Sequence, residues 1–489
     1  MKIQKPHAVL VASPGMGHLI PVLELGKRFV SQHDFQVTVF AASTEASTVQ
    51  SHLQNSPEYT NNNLFKVVSL PSVDTSASVD TDATVATKII VMMHESLPAL
   101  RSAISAMKPR PTAMIVDLFG TEAMAMADEF GMLKYMFIAS NAWFLAAMIY
   151  APALDEKGLD EHANQKLPMK IPGCTAVRFD DTLEPFLNAN DPMFQGFLLA
   201  CMAMSTADGI LVNTWEDLEP KTLAAFRDTK LLGRVAKAPV YPIGPLARPV
   251  GPVGPPVLRS HVLDWLDTKP TESVIYVSFG SGGSLSAKQM IELAWGLELS
   301  QQRFVWVVRP PIENDVSESY LTVGKDSNGV HDYLPEGFLS RTHCIGLVIP
   351  MWAPQAEILG HPSVGGFLSH CGWNSTLESI VNGVPMIGWP LFAEQKMNAT
   401  LLTEEIGVAV RCNPAAADGM LVGREEIKTM VRRVMVEKQG HAMRSRVKEA
   451  KCSAEKALSR GGSSYNSLTH VVEECETGLQ GLIAKSHGS

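Results

Sequence analysis

The chain lacks a CxxC pair. Its seven cysteines, at positions 174, 201, 344, 371, 412, 452 and 475, are scattered and odd in number. That pattern excludes a zinc ribbon or a disulfide framework and fits a reduced, cytoplasmic protein. A surplus of basic charge is missing too. Forty-one Lys and Arg stand against 50 Asp and Glu, for a formal net charge of −9. Phosphate backbones select basic surfaces, so nucleic acid is not an expected partner. Long hydrophobic runs are also absent. The opening MKIQKPHAVLVASPGMGH holds one short strand, too brief for a signal peptide or a membrane span. The apolar stretch from Phe137 to Ala153 is broken by Asn141, Trp143 and Pro152 and reads as a strand end plus a buried helix. Stable membrane insertion is therefore not expected. The turn SPGMG lacks the dinucleotide pattern GxGxxG, and no acidic residue closes the following strand QVTVFA. A hydride-transferring enzyme is disfavoured on both counts.

What is present is a compact α/β chain. Hydrophobic residues make up 46% of the 489, charged residues 19%, enough for a sizeable core and, on length, two to four domains. Apolar strands (His7 to Ala12, QVTVFA, FKVVSL, AMIVD, YMFI, GILVN) alternate with helical segments. Such alternation predicts a parallel, doubly wound sheet. Residues 71 to 84, rich in Ser, Thr and Asp, read as a surface loop. The Pro- and Gly-rich stretch 241 to 257 cannot be a helix or a central strand and reads as a linker. A second α/β run follows: VIYVSFGSGG, the helix SAKQMIELAWGLELS, RFVWVV, a polar excursion at 311 to 335, and GLVIP. Two amphipathic helices come next, and Ser463 or Ser464 caps a last helix to about Cys475. These shifts divide the chain into 1–243, a linker at 244–259, 260–460, and a terminal helix at 461–489.

The most informative stretch runs from Trp352 to Gln395, WAPQAEILGHPSVGGFLSHCGWNSTLESIVNGVPMIGWPLFAEQ. It reads as strand, Gly-turn, helix, strand. Asn374 or Ser375 is the expected N-cap of the helix. Free N–H groups at the helix start, with the helix dipole, form an anion site. His370, just before the turn, can add a hydrogen bond or a positive charge. Trp352 offers a flat face for a base, and Glu378 can accept from ribose hydroxyls. Glu394 and Gln395 follow a strand end, where open α/β sheets bind ligands. Cys371 reads as buried packing. The turn FGSGG at 279 to 283 is by itself a weak phosphate signal.

A second constellation lies near the N-terminus. His18 follows the first strand, and Asp117 follows AMIV within VDLFG. In a parallel sheet both emerge on the carboxyl rim. An imidazole held in one tautomer by a carboxylate suits removal of a hydroxyl proton. Asp117 could instead cap the next helix. Leu118, Phe119, Trp143 and Phe144 follow strand ends on the same rim and would make an apolar, aromatic wall. Ser13 either hydrogen-bonds near His18 or shapes the turn.

WAPQ, HCGWNS, LES and GVP stand together at the spacing of a known signature. The stretch resembles the donor box of plant family-one UDP-glycosyltransferases, the secondary-product glucosyltransferases, over all its positions. The resemblance implies a GT-B arrangement of two Rossmann-like domains facing a cleft. It implies that Trp352 stacks on uracil, with the Ala353 backbone at its edge and Gln355 near the ribose held by Glu378. His370, Asn374, Ser375 and the Ser281 turn would hold the pyrophosphate. Trp373, Glu394 and Gln395 would contact the sugar, the closing Gln favouring glucose. HLIP and VDLFG match the family's His–Asp dyad. Expected, then, is a monomeric, inverting UDP-glucose-dependent O-glucosyltransferase with no cofactor and no metal, since no carboxylate cluster such as DxD sits at the phosphate site. UDP-glucose would be the co-substrate. DLFG, FGSGG and the long excursion look most like the branch acting on hydroquinone, monolignols and related small phenolics. Ser13, Leu118, Phe119, Trp143 and Phe144 would then form the acceptor side. A flavonoid or anthocyanidin acceptor is the nearest alternative. A catalytically silent nucleotide-sugar or phenolic binder is the alternative from another class.

Overall fold

The computed structural model describes residues 5–42, 63–73, 83–154, 162–163, 165–187, 192–248, 261–312, 333–412 and 421–487. Most of the expected loop at 71–84, linker at 244–259 and excursion at 311–335 lies outside the described residues.

Two parallel sheets organise the chain. The first orders its strands β3-β2-β1-β4-β5-β6-β7. These are β1 (His7–Ala12), β2 (Gln36–Ala41), β3 (Phe65–Ser69), β4 (Ala113–Asp117), β5 (Leu133–Ile138), β6 (Gly209–Val212) and β7 (Val240–Pro242). The second orders them β10-β9-β8-β11-β12-β13. Its strands are β8 (Val274–Ser278), β9 (Arg303–Val308), β10 (Gly346–Pro350), β11 (Val364–Ser369), β12 (Met386–Gly388) and β13 (Ala409–Arg411). The runs HAVLVA, AMIVD and VIYVS are buried at every position. A strand covered by helices on both faces needs apolar side chains on both, so alternation disappears.

The helices that matter for function are α1 (Met16–His33), α2 (Val85–Ser105), α3 (Ala142–Tyr150), α4 (Pro192–Met204), α5 (Trp373–Asn382), α6 (Lys438–Leu458) and α7 (Ser463–His487). The expected helix after β4 opens instead as a 3₁₀ segment, Leu118–Ala123. Helix α5 begins at Trp373 with Gly372 in the N-cap position and no side-chain cap, so neither Asn374 nor Ser375 is the cap. The Pro-rich stretch starts inside the first sheet, because Tyr241 and Pro242 belong to β7. Pro242 ends an edge strand, where a missing N–H costs nothing. Helix α7 runs to His487, well past Cys475. Its Leu468, Val471, Val472 and Cys475 join the core of the first sheet with Leu10, Tyr135 and Leu211. Tyr135 and Tyr241 both donate to the Glu474 carboxylate, at 2.6 and 2.8 Å.

The two sheets are joined by polar contacts as well. Arg411, at the end of β13, meets Asp181 through both terminal nitrogens at 2.9 Å. Thr400 donates to the same carboxylate at 2.9 Å. Trp215 donates its indole N–H to Ser453 of α6 at 2.8 Å. No helix among the described residues is long and apolar enough to cross a membrane.

Candidate functional site

Each sheet reverses its strand order once, between β1 and β4 and between β8 and β11. The crevice outside such a reversal, at the carboxyl ends, is where open α/β sheets bind ligands. Both sequence-derived constellations sit at these two points.

At the first, Val11 pairs with Val116, which brings the residues after β1 level with Asp117. Asp117 is 1% exposed. Its Oδ2 lies 3.2 Å from His18 Nδ1, in the first turn of α1. The two atoms are close, although their alignment falls short of a full hydrogen bond. Ser13 holds the carboxylate from the other side: its N–H donates to Oδ2 at 2.9 Å and its hydroxyl to Oδ1. Asp117 makes no side-chain cap to the following 3₁₀ segment. With Nδ1 turned to the carboxylate, Nε2 is the ring nitrogen left for a substrate. The Phe119 ring meets the imidazole edge-on, with centroids 5.2 Å apart.

At the second reversal, Ser369 pairs with Ser278, so HCGW and FGSGG leave the sheet side by side. The His370 ring packs into the glycine turn. Gly280 has φ +76°, and a β-carbon there would lie 2.6 Å from His370 Cε1; Gly372 leaves no room for one either. The glycine turn that is a weak signal alone is thus fitted to His370. Burial pushes the His370 pKa down to about 4, so at neutral pH the ring carries no charge and can act only as a hydrogen-bonding group. The uncapped start of α5 leaves backbone N–H groups facing the same cleft. Gln355 donates to Ser375 Oγ at 2.9 Å and to Glu378 Oε2 at 2.7 Å. Burial raises the Glu378 pKa, opposed by the Gln355 bond and the charge of Arg248. Trp352 is 61% exposed at the rim, a large aromatic face open to a ligand. Gln395 accepts from the N–H groups of Leu391 and Phe392 at 2.8 and 3.1 Å, which fixes its own amide. Cys371 is fully buried, and burial lifts its thiol pKa to about 12; it is packing, as expected.

Between the two points lies one cleft of about 1730 Å³. Its walls include His18, Leu118, Phe119 and Phe144 from the first domain. From the second they include Ser281, Trp352, Ala353, Gln355, His370, Trp373, Asn374, Ser375, Glu378, Glu394 and Gln395. Two expected acceptor residues do not belong there. Trp143 is 1% exposed and faces the core, because α3 turns Phe144 rather than Trp143 to the cleft. Ser13 is equally buried and spends its polar groups on Asp117, so it positions the carboxylate and does not line the acceptor side. The wall the sequence reading missed comes from α2 and α4: Ile90, Met93, His94, Phe197 and Leu199, with Leu199 68% exposed. A signal existed. IIVMM in α2 and FLLACMAM in α4 are apolar over more than one stripe, which a helix packed on one face does not need. Arg248 and Arg309 also reach the cleft.

Residues 258–444 match the family model described as UDP-glucoronosyl and UDP-glucosyl transferase. The chain is 54% identical over 492 residues to UDP-glycosyltransferase 72E1 of Arabidopsis thaliana, covering 100% of both chains. It is 53% identical over 472 residues to anthocyanidin 3-O-glucosyltransferase 5 of Manihot esculenta, covering 96% of each. The crystal structure of TcCGT1 in complex with UDP superposes with a TM-score of 0.90 at 46% identity, covering 97% of this chain and 100% of that one. A two-sheet GT-B fold, a donor box at one strand reversal and full-length likeness to these proteins lead to one conclusion: the chain belongs to the plant family-one UDP-glycosyltransferases, hexosyltransferases that take a UDP-sugar as co-substrate and need no cofactor.

Proposed function

We propose that the protein is an inverting UDP-glucose-dependent O-glucosyltransferase acting on the hydroxyl of a small phenolic, with His18 as base and Asp117 as its partner. The observation that carries this reading is the His18 Nδ1 to Asp117 Oδ2 approach of 3.2 Å at one strand reversal, facing the donor box at the other across a single cleft. The acceptor O–H gives its proton to His18 Nε2, and Asp117 stabilises the imidazolium. The acceptor oxygen forms a bond to sugar C1 as the bond from C1 to the UDP oxygen breaks from the opposite face, giving the β-glucoside. The charge developing on UDP meets backbone N–H groups at the start of α5, the neutral His370 ring and the Ser281 turn. In this reading Trp352 and Ala353 take the uracil. Gln355 and Glu378 take the ribose, Asn374 and Ser375 the pyrophosphate, and Trp373, Glu394 and Gln395 the glucose. The domains are assigned as 1–243 for the acceptor, 260–460 for the donor, and 461–489 as the returning helix.

The apolar walls from Leu118, Phe119 and Phe144 favour a flat aromatic acceptor. A flavonoid or anthocyanidin acceptor is the second reading, favoured by the size of the cleft and by the 53%-identical relative named for anthocyanidin. The deciding experiment offers purified protein UDP-glucose and a panel of hydroquinone, coniferyl alcohol, a chlorophenol, quercetin and cyanidin. A product heavier by one hexose, lost in His18→Ala, supports the reaction and names the acceptor class. UDP-glucose binding without product from any acceptor would turn the assignment to a silent binder.

A further inference from the structure

The acceptor half of the cleft is largely apolar but carries a few ionisable side chains. Among the described first-domain residues lining it, the ionisable ones besides His18 are His94, Glu122 and Glu184. Two of these form a pair: His94 Nδ1 lies 2.6 Å from Glu122 Oε2. His94 stands in the lining stripe of α2, four residues after Ile90 and three before Leu97, where the pattern alone calls for another aliphatic residue. Glu122 lies in the 3₁₀ segment Leu118–Ala123, three residues after Phe119. Side chains at i and i+3 eclipse in a 3₁₀ helix, so Glu122 stands over Phe119 on the same face, about 6 Å along the axis. Phe119 in turn touches the His18 ring. His18, Phe119 and the His94–Glu122 pair therefore follow one another along a single wall. The outer end of that wall is polar, and both paired side chains are more than half exposed to the cleft and solvent.

We propose that the His94–Glu122 pair is a specificity determinant that binds a polar group at the end of the acceptor remote from the reacting hydroxyl. It selects phenolics carrying a short side chain that ends in a hydroxyl. This rests on the phenolic reading above. The hydrogen bond to Glu122 occupies Nδ1, which leaves Nε2 to face the ligand. Glu122 favours the imidazolium form, raising the His94 pKa with a smaller contribution from Glu95, and Nε2 can meet a hydroxyl in either charge state, as donor from the charged ring or as acceptor on the neutral one. The acceptor's ring would lie against Phe119 with its phenolic hydroxyl at His18 and its tail at His94 Nε2. Because the pair is exposed, an analogue lacking the hydroxyl leaves Nε2 to water, so the preference expected is the modest one of a single net hydrogen bond.

The test compares coniferyl alcohol with isoeugenol, which shares its ring and three-carbon tail but lacks the terminal hydroxyl. Dissociation constants are measured by calorimetry on the UDP-saturated protein, beside turnover with UDP-glucose. Wild type is expected to bind coniferyl alcohol about tenfold more tightly. His94→Ala is expected to erase that difference by weakening coniferyl alcohol alone, raising its KM with kcat unchanged. Glu122→Gln, which keeps a partner for the ring, is expected to lose about half of the preference in logarithmic terms. Equal binding of the two acceptors by wild type overturns the proposal, as does an equal loss of both in His94→Ala, which marks a structural pair. Turnover of both acceptors with equal affinity leaves the glucosyltransferase reading standing. A preference that disappears in His94→Ala without product from either acceptor sinks that reading and leaves the pair in place.

Discussion

Asn374, in the first turn of α5 in the donor domain, donates its side-chain amide to the carbonyl of Gly17 at 3.0 Å. Gly17 directly precedes His18. A single hydrogen bond thus ties the start of α5 to the first turn of α1, which carries His18, and it spans 357 residues of sequence. The Asn374 Oδ1 on the other side is buried with no partner among the described residues. Transfer between two bound substrates depends on alignment to within about an ångström. Asn374→Ala is therefore expected to lower kcat about 10–100-fold. UDP affinity, read by calorimetry, should fall less than kcat. A variant that loses UDP binding in full proportion would show a purely donor-side role.

His18→Ala should lower turnover by about 10²–10⁴-fold, the range of a lost general base. UDP-glucose binding should stay within twofold. Ser13→Ala removes the hydroxyl that holds Asp117 Oδ1, and its expected cost is about tenfold in kcat with KM for the acceptor unchanged. If instead KM rises and kcat holds, Ser13 contacts substrate after all.

Gly280→Ala should weaken UDP-glucose binding at least tenfold while the protein stays folded by circular dichroism. The backbone there is left-handed, and the new methyl would enter the His370 ring. Such strain costs about 1–3 kcal/mol, and the ring must move out of the donor site to relieve it. Unchanged affinity would show that His370 does not need its present position.

Acid should weaken the fold through buried imidazoles. Burial lowers the pKa of both His7 and His370 to about 4, below the ~6.5 of an exposed histidine. Between those values the unfolded chain binds protons that the folded chain refuses. Their contribution is complete above about pH 6.5 and is lost as pH falls toward 4. The urea midpoint should drop between pH 7 and pH 5, and His7→Gln should flatten that slope. UDP-glucose affinity should be level between pH 6 and pH 8, since His370 stays neutral throughout; an acid-side rise in affinity would mean that it charges on binding.

Asp181→Ala should destabilise the protein by about 3–5 kcal/mol, the cost of leaving a buried partner charge alone. Arg411 is almost fully buried beside it, and Thr400 would lose its acceptor too. The denaturant midpoint checks this. A double change to Asp181→Leu with Arg411→Met should recover much of the loss, because no charge remains to be desolvated.

That the stretch from Trp352 to Gln395 lines the cleft was readable because most of it is local in sequence. From His370 to Gln395 the residues belong to one βαβ unit, β11–α5–β12, and its strand end, so spacing along the chain translates directly into geometry, while Trp352, Ala353 and Gln355 precede that unit and follow β10. His18 and Asp117 were readable for a related reason: strand ends of a parallel sheet share one rim, whatever their separation in sequence. The first-domain wall of the cleft was readable only in part, at Leu118, Phe119 and Phe144. It is assembled from α2, the 3₁₀ segment, α3 and α4, and which face of each helix turns inward depends on packing that no local pattern encodes. Trp143 and Phe144 illustrate this, since neighbouring aromatics on one helix point to opposite environments. The α5 cap failed differently. Asn374 and Ser375 have the chemistry of N-caps, but Asn374 instead reaches across to Gly17, and Ser375 receives the Gln355 amide.

Helix α7 carries the chain back to the first sheet, so the polypeptide passes between the domains twice. The two passages lie together: Ser464, at the start of α7, donates to the Gly244 carbonyl at 2.6 Å, just after β7. Arg28 of α1 donates to the neighbouring Ile243 carbonyl at 2.8 Å and holds the same spot to the first domain. The residues around Gly244 are thus pinned from two directions, by the returning helix and by α1. Sliding of the returning helix along the first sheet at that corner would have to break these bonds.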